Sequence, residues 1–236
     1  MPPLIQILRQ RPALSPAAAE QLRHFASARS RSAAEERCEF CGSGIDDTHG
    51  HLVDLPRRAL LCVCRPCYLL FTHDGAGGAR FRAVPTRYAL VRELASSSGG
   101  WDAFDLPIGL AFLFHNSASG RTTAFYPSPA GATESELPLE AWTTLTADIP
   151  LLSTLAADVE ALLVRKTSAG TTALIVPIDA CYELVGLIRV LWRGLQGGDD
   201  LQCGLDEFFA RAVERAGASL ESVDPSGTVR GESRRA

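Results

Sequence analysis

The sequence predicts an α+β protein, with a small zinc-ribbon-like knuckle module followed by a mostly antiparallel sheet packed with helices. Three observations carry that expectation. Five of the seven cysteines fall between Cys38 and Cys67, as two Cys-x-x-Cys pairs with Cys62 just before the second pair. Two pairs of β-rich runs flank good turn chemistry, at Asn116 to Gly120 and at Thr167 to Gly170. Apolar residues recur at helical spacing after Asp179 and again from Leu205.

A chain of 236 residues can bury a sizeable core and accommodates a small module attached to a larger domain. The expected organisation is a helical arm over 1–34, a cysteine-rich metal-binding module over 35–73, an α+β domain over 74–221 and a disordered tail over 222–236. Twenty-three basic side chains against 27 acidic ones give a net charge of −4, which offers phosphate backbones and anionic membranes no general attraction. Neither nucleic acid nor membrane is an expected partner. No run of 18 apolar residues occurs, and the N-terminus lacks the apolar segment of a secretory leader, so a cytoplasmic location is expected. In that reducing compartment an odd number of clustered cysteines points to ligands or redox thiols more than to disulfides.

In the arm, Ser15 reads as an N-cap with Pro16 at the first helical position, and Leu22, Phe25 and Ala26 follow at helical spacing. Ser27 to Glu36 reads equally as a helical continuation or a flexible lead. The module reads as two short strands, His51 to Leu55 and Ala59 to Val63, joined at Pro56-Arg57-Arg58. That hairpin would bring the second Cys-x-x-Cys turn opposite the first. Two such turns aim four thiolates at one centre, the S₄ set taken by Zn²⁺ or iron. Cys38, Cys41, Cys64 and Cys67 are therefore the predicted metal ligands, within ~4 Å of one another. Zinc is the expected ion, with iron or an iron–sulfur cluster as the alternative. Cys62, His49 and His51 are further candidates. Cys62 points the same way as Cys64 along a strand, so it is open whether it replaces a ligand, stands beside the metal or joins a cluster. The two histidines read as ligands, as donors that support the ligands from behind, or as surface side chains.

Past the glycine-rich stretch at 75–78, Phe81 to Pro85 reads as a strand and Thr86 to Leu94 as a short helix or a second strand. Ile108 to His115 with Thr122 to Tyr126, and Val159 to Lys166 with Thr171 to Ile178, read as two hairpins, giving about four strands with helices on one face. Leu139 to Leu145 and Ile149 to Leu155 read as short helices, the second interrupted at Pro150. Asp179 is the expected N-cap of the next helix, with Leu184, Leu187, Ile188 and Leu191 on its buried face. Leu205, Phe208, Phe209, Ala212 and Val213 mark the last one. The stretch Tyr126 to Glu134, with its two prolines, reads as a stiff loop.

The phrases Leu110 to Phe114, Ala124 to Glu134, Asp158 to Val164, and Val176 to Arg189 through Trp192-Arg193-Gly194, taken with the cysteines, resemble an uncharacterised bacterial family. The resemblance covers most of residues 35–215. That family often accompanies uptake nickel–iron hydrogenase genes, which implies an accessory or maturation role and a hydrogenase subunit or maturation factor as protein partner. The cysteine module itself resembles a zinc ribbon or a rubredoxin, although it lacks the rubredoxin aromatic core pattern.

No dinucleotide fingerprint, phosphate loop, zinc-protease helix or nucleophile elbow occurs in the sequence. Asp158, Glu160, Arg165, Asp179, Glu183, Arg189 and Arg193 read as caps and ion pairs around an apolar core, with a polar cleft at the sheet edge as the alternative. Cys181 and Cys203 fall outside any ligand spacing and read as buried thiols. The expected function is a non-enzymatic metal-binding accessory protein; the alternative is a rubredoxin-like or iron–sulfur electron-transfer protein. Aromatic and charged side chains provide contact area, so Tyr126, Glu134, Arg189 and Arg193 are the candidate partner-binding residues.

Overall fold

The computed structural model describes residues 15–21, 36–73, 75–96, 109–128, 131–136, 139–194 and 197–221. Its first described segment is helix α1 (16–21), which Ser15 caps as expected: the Ser15 hydroxyl accepts the Ala18 amide at 3.1 Å. The same hydroxyl donates to Asp200 at 2.9 Å, and Ala18 is buried in the main core, so this helix is docked on the body of the protein. Leu22, Phe25, Ala26, the stretch Ser27 to Glu35 and the tail 222–236 lie outside the described residues.

The cysteine module is built on strands β1 (Gly50–Asp54) and β2 (Ala59–Val63), followed by the short helix α2 (Arg65–Leu69) and by β3 (Phe81–Ala83). They form a three-stranded antiparallel sheet in the order β2-β1-β3. Residues 81–83, assigned above to the following domain, therefore pair within the module's own sheet. Strand alternation gives the hairpin two working faces. Leu52 and Val63 turn inward over the cysteines, with Ile45, Cys38 and Cys67 completing a small core. Val53 and Leu60, on the opposite face, pack against the larger domain.

The larger domain carries β4 (Ala89–Leu90), α3 (Arg92–Ser96), β5 (Leu110–Asn116), β6 (Arg121–Ser128), β7 (Gly131–Glu136), α4 (Leu139–Asp148), β8 (Glu160–Thr167), β9 (Gly170–Pro177), α5 (Ile178–Leu191) and α6 (Gly198–Glu221). Its sheet is antiparallel and six-stranded, in the order β4-β9-β8-β5-β6-β7. Both predicted hairpins are present, and two edge strands extend the expected four. Thr86 to Leu94 yields both of its alternatives, a two-residue strand and the start of α3. Pro150 to Thr154 forms a 3₁₀ turn after α4, since Pro150 cannot supply the amide that would continue the preceding helix.

Helices cover both faces of the sheet, where one was expected. Phe112, Leu163, Leu174 and Val176 meet Leu184, Ile188, Phe208 and Phe209 of α5 and α6 on one side. Ala111, Leu113, Leu162, Val164 and Ile175 meet Leu94, Leu145 and Leu152 on the other. This explains the unbroken apolar runs of β8 and β9: a strand buried on both faces has no polar side to alternate. The expected N-cap at Asp179 is also displaced. Pro177 occupies the cap position with extended backbone, and Asp179 lies within the first turn.

Candidate metal centre

Each knuckle is shaped by its backbone. Around Cys38 the Gly42 amide donates to the Cys38 carbonyl at 2.8 Å, and the Cys38 amide to the Ser43 carbonyl at 2.7 Å. Gly42 closes this turn at φ 73°, where a side chain would be strained. The second knuckle is a helix start. Cys64 is the N-cap of α2, a proline occupies the first turn, and the Tyr68 amide donates to the Cys64 carbonyl at 2.9 Å. The hairpin β1/β2 then lays one turn over the other.

The result is a cluster in which the sulfurs of Cys38, Cys41, Cys64 and Cys67 lie within 4.8 Å of one another, with Cys41 and Cys64 at 3.6 Å. Four sulfurs bonded at ~2.3 Å to one tetrahedral centre are ~3.8 Å apart, so the donor set fits one such ion. Cys38 and Cys67 are buried, whereas Cys41 faces solvent. The Ser43 hydroxyl and amide, aided by the neighbouring thiols of Cys38 and Cys64, bring Cys41 down to about 6. Burial works against the Cys38 thiolate, yet the Cys41, Cys64 and Phe40 amides outweigh it and lower that thiol too. Burial, then the neighbouring sulfurs, push Cys67 up. Sulfurs this close repel as thiolates, and a divalent cation removes that repulsion while displacing the remaining protons.

Cys62, His49 and His51 do not join this group. They form a second one, with ligand atoms also within 4.8 Å of one another. His51 and Cys62 face each other across the hairpin, and both the amide and the carbonyl of Cys62 are engaged by Glu39 on the outer side. Such a pair, which exchanges no ladder hydrogen bonds, brings its side chains closest together. His51 Nδ1 lies 2.9 Å from Asp179 Oδ2, and His49 Nδ1 lies 2.6 Å from the Asp46 carbonyl. Burial opposes a charge on His51, but the bond to Asp179 and the Cys62 sulfur prevail and push it up to about 9. The hairpin expected from the sequence, closing at Leu55 and Ala59, would have set residue 51 opposite residue 63; the observed closure at Asp54 and Ala59 shifts the register by one and pairs His51 with Cys62.

A cavity of about 710 Å³ separates the module from the sheet. Val53 and Leu60 of the hairpin, Phe112, Phe114 and Phe125 of the sheet, and Val185 of α5 make it apolar, while Arg58, Arg189, Glu134 and Asn116 add polar groups. Glu134 and Arg189 therefore share one cavity wall. Tyr126 and Arg193 do not. Tyr126 points to the opposite face of the sheet, against the core that contains Leu113 and Leu145. Arg193 is spent on the end of α5, donating to the carbonyls of Val190 and Trp192 and to Gln21 of α1. The stretch containing Tyr126 and Glu134, expected as a loop, is largely the β6/β7 hairpin, in which Phe125 pairs with Glu134 and Tyr126 with Thr133.

The remaining charged candidates are distributed among separate ion pairs. Asp158 takes Arg82 at 3.2 Å, Glu160 takes Arg87 at 2.6 Å, Arg165 takes Asp206 at 2.7 Å and Glu183 takes Arg211 at 3.2 Å. Cys181 and Cys203 are buried, and burial raises both thiols, so the first turn of α5 does not activate Cys181. No helix among the described residues is long and apolar enough to cross a membrane.

The whole of this architecture, from the first knuckle through most of α6, coincides with one match. The model of a family of unknown function, DUF5947, matches residues 37–216. No curated protein and no solved structure matches the chain. Because the match spans both the cysteine module and the six-stranded domain, the chain belongs to the DUF5947 family.

Proposed function

We propose that this protein is a non-enzymatic, metal-binding accessory protein whose Cys₄ site holds zinc as a structural clamp. The observation that carries this reading is the closed donor set. Four sulfurs converge on one point, which fills every position of a tetrahedral ion and leaves none for a substrate. The clamp rigidifies the hairpin whose outer face forms one wall of the 710 Å³ cavity, so metal binding and the shape of that cavity are coupled through β1 and β2. We assign the cavity, with Glu134 and Arg189 at its wall, to recognition of a protein partner. The partner we favour is a nickel–iron hydrogenase subunit or one of its maturation factors, a choice supported by the family resemblance of the segments at 110–114, 124–134 and 176–194.

Three measurements test this reading. Anaerobically purified protein should contain zinc, with no visible absorbance, and cells lacking the gene should show impaired hydrogenase activity. The double variant Glu134→Ala with Arg189→Ala should reproduce the cellular defect while keeping the wild-type melting temperature within a few degrees. Normal hydrogenase activity in the deletion strain removes the hydrogenase assignment. One observation favours a second reading: Cys41 is exposed, as a sulfur on an electron-transfer path would be. Stoichiometric iron with a thiolate charge-transfer band would establish that alternative.

A further inference from the structure

We propose that His49, His51 and Cys62 form a second metal site, an N₂S set for a divalent ion of zinc's borderline softness, with an open fourth position. The site is separate from the Cys₄ clamp, although only Val63 stands between Cys62 and Cys64 in the chain.

The geometry of the two imidazoles carries the inference. A carbonyl oxygen can only accept, so the Asp46 carbonyl 2.6 Å from His49 Nδ1 fixes the proton on that nitrogen. The neutral ring then keeps its lone pair on Nε2. His51 repeats the arrangement, with the Asp179 carboxylate 2.9 Å from Nδ1. Carboxylate and carbonyl acceptors behind the far nitrogen are what orients a metal-binding imidazole and raises its basicity. Both rings are thus held from behind, by elements far apart in the sequence, and Nε2 of each is the nitrogen those acceptors leave over in a group whose ligand atoms lie within 4.8 Å of one another.

His49 supplies the second, independent observation. Its Nε2 is buried and has no hydrogen-bond partner. A lone pair withdrawn from water without a partner costs about 1–3 kcal/mol, and the fold tolerates that where something else occupies the direction. The competing account is an ion pair of His51 with Asp179 that only ties the module to α5. It explains one ring and leaves His49 Nε2 orphaned.

The presentation of His49 is also fixed. Asp46 Oδ1 accepts both the amide and the hydroxyl of Thr48, at 3.0 and 2.9 Å, which folds the preceding turn and sets the ring against that of His51 at a centroid separation of 4.9 Å. Two nitrogens and one thiolate suit zinc, cobalt and copper ions, and three protein ligands with a vacant position is the arrangement of reactive rather than structural zinc. Binding displaces the protons held at His51 Nε2 and the Cys62 sulfur, and leaves water or a small anion as the fourth ligand. Each of the three residues is partly exposed, so the group lies at the rim of the module although His49 Nε2 itself is buried.

The test counts ions on the intact chain. Protein reconstituted with Zn²⁺ and desalted should carry two ions per chain, and His51→Ala with Cys62→Ser should carry one. The Cys₄ site is the internal control for folding: with Co²⁺ in place of Zn²⁺, its intense four-thiolate charge-transfer band should persist in that variant. In the wild type a second equivalent of Co²⁺ should add weaker bands that azide shifts, with the first set unmoved. His49→Gln, a milder change on an outer turn, should weaken the second ion at least tenfold and spare the first. One ion per chain in the wild type overturns the proposal, as do two ions retained in the His51/Cys62 variant. Failure of the Cys₄ site to bind would instead count against the structural clamp, and the azide-sensitive bands would still report on this one.

Discussion

Arg87 grips Glu160 through both edges of its guanidinium, with Nε 2.8 Å from Oε1 and Nη2 2.6 Å from Oε2. The Ala156 amide donates to Oε2 as well, at 2.8 Å, so a carboxylate that is 2% exposed is fully satisfied at the start of β8. Removing Arg87 strands that charge. Arg87→Ala should destabilise the domain by about 3–5 kcal/mol in urea denaturation, the usual cost of an uncompensated buried ion. Glu160→Gln, which keeps the side-chain shape, should cost clearly less; equal losses would mean that packing, not charge, holds this corner.

The Cys₄ core, made of Cys38, Ile45, Leu52, Val63 and Cys67, is distinct from the two cores that sandwich the larger sheet. Cys38→Ser with Cys41→Ser should therefore loosen the module and leave β5 to β9 folded. Hydrogen exchange would show it as lost protection at Leu52 and Leu61 with unchanged protection at Leu163 and Leu174. A single cooperative loss of all four amides would mean that the module and the domain share one core.

Asp54 is buried at the end of β1 and meets Arg80 at 2.7 Å, a contact that holds its carboxyl below the ordinary carboxylate range. An acid with a depressed folded pKa adds stability that is present above its unfolded value of about 3.9 and disappears as pH falls through the folded pKa. The stability difference between wild type and Asp54→Asn should accordingly be largest above about pH 5 and shrink toward acid. A pH-independent difference would assign the effect to the hydrogen bond from the Arg57 amide.

Gly50 lies directly beneath Tyr68, and a Cβ there would sit 2.6 Å from a ring carbon. The ring is anchored, since its hydroxyl donates to the Val84 carbonyl at 2.9 Å. Gly50→Ala must push the ring away at a cost of about 1–3 kcal/mol. Because Tyr68 directly follows Cys67 of the Cys₄ group, metal affinity should fall along with module stability. Adding Tyr68→Leu to Gly50→Ala should recover part of the affinity in a competition titration with a chelator.

Much of the fold was written into local sequence. The Cys₄ set follows from two Cys-x-x-Cys turns and a short hairpin between them, whose connection is one residue longer than expected, and both central hairpins follow from turn residues between β-rich runs. Ser15 and the apolar stripes of α5 and α6 likewise depend on neighbours within a few positions. Such signals survive because turn and cap chemistry act over short range.

Tertiary packing decided the rest. A two-residue strand such as β4 has no intrinsic preference strong enough to announce itself; it exists because β9 offers it an edge. The β6/β7 hairpin overrode a proline-rich stretch, with Pro127 at the end of β6 beyond the residues that pair with β5, where a missing amide costs least. Asp179 became the partner of His51, 128 positions away, in place of capping its own helix. Cys62 turned toward His49 and His51 and away from the clamp, and Glu134 was separated from Tyr126 by the thickness of the sheet. Each outcome depends on which face of an element meets which neighbour, and a strand's alternation fixes two faces without saying which of them the rest of the chain will cover.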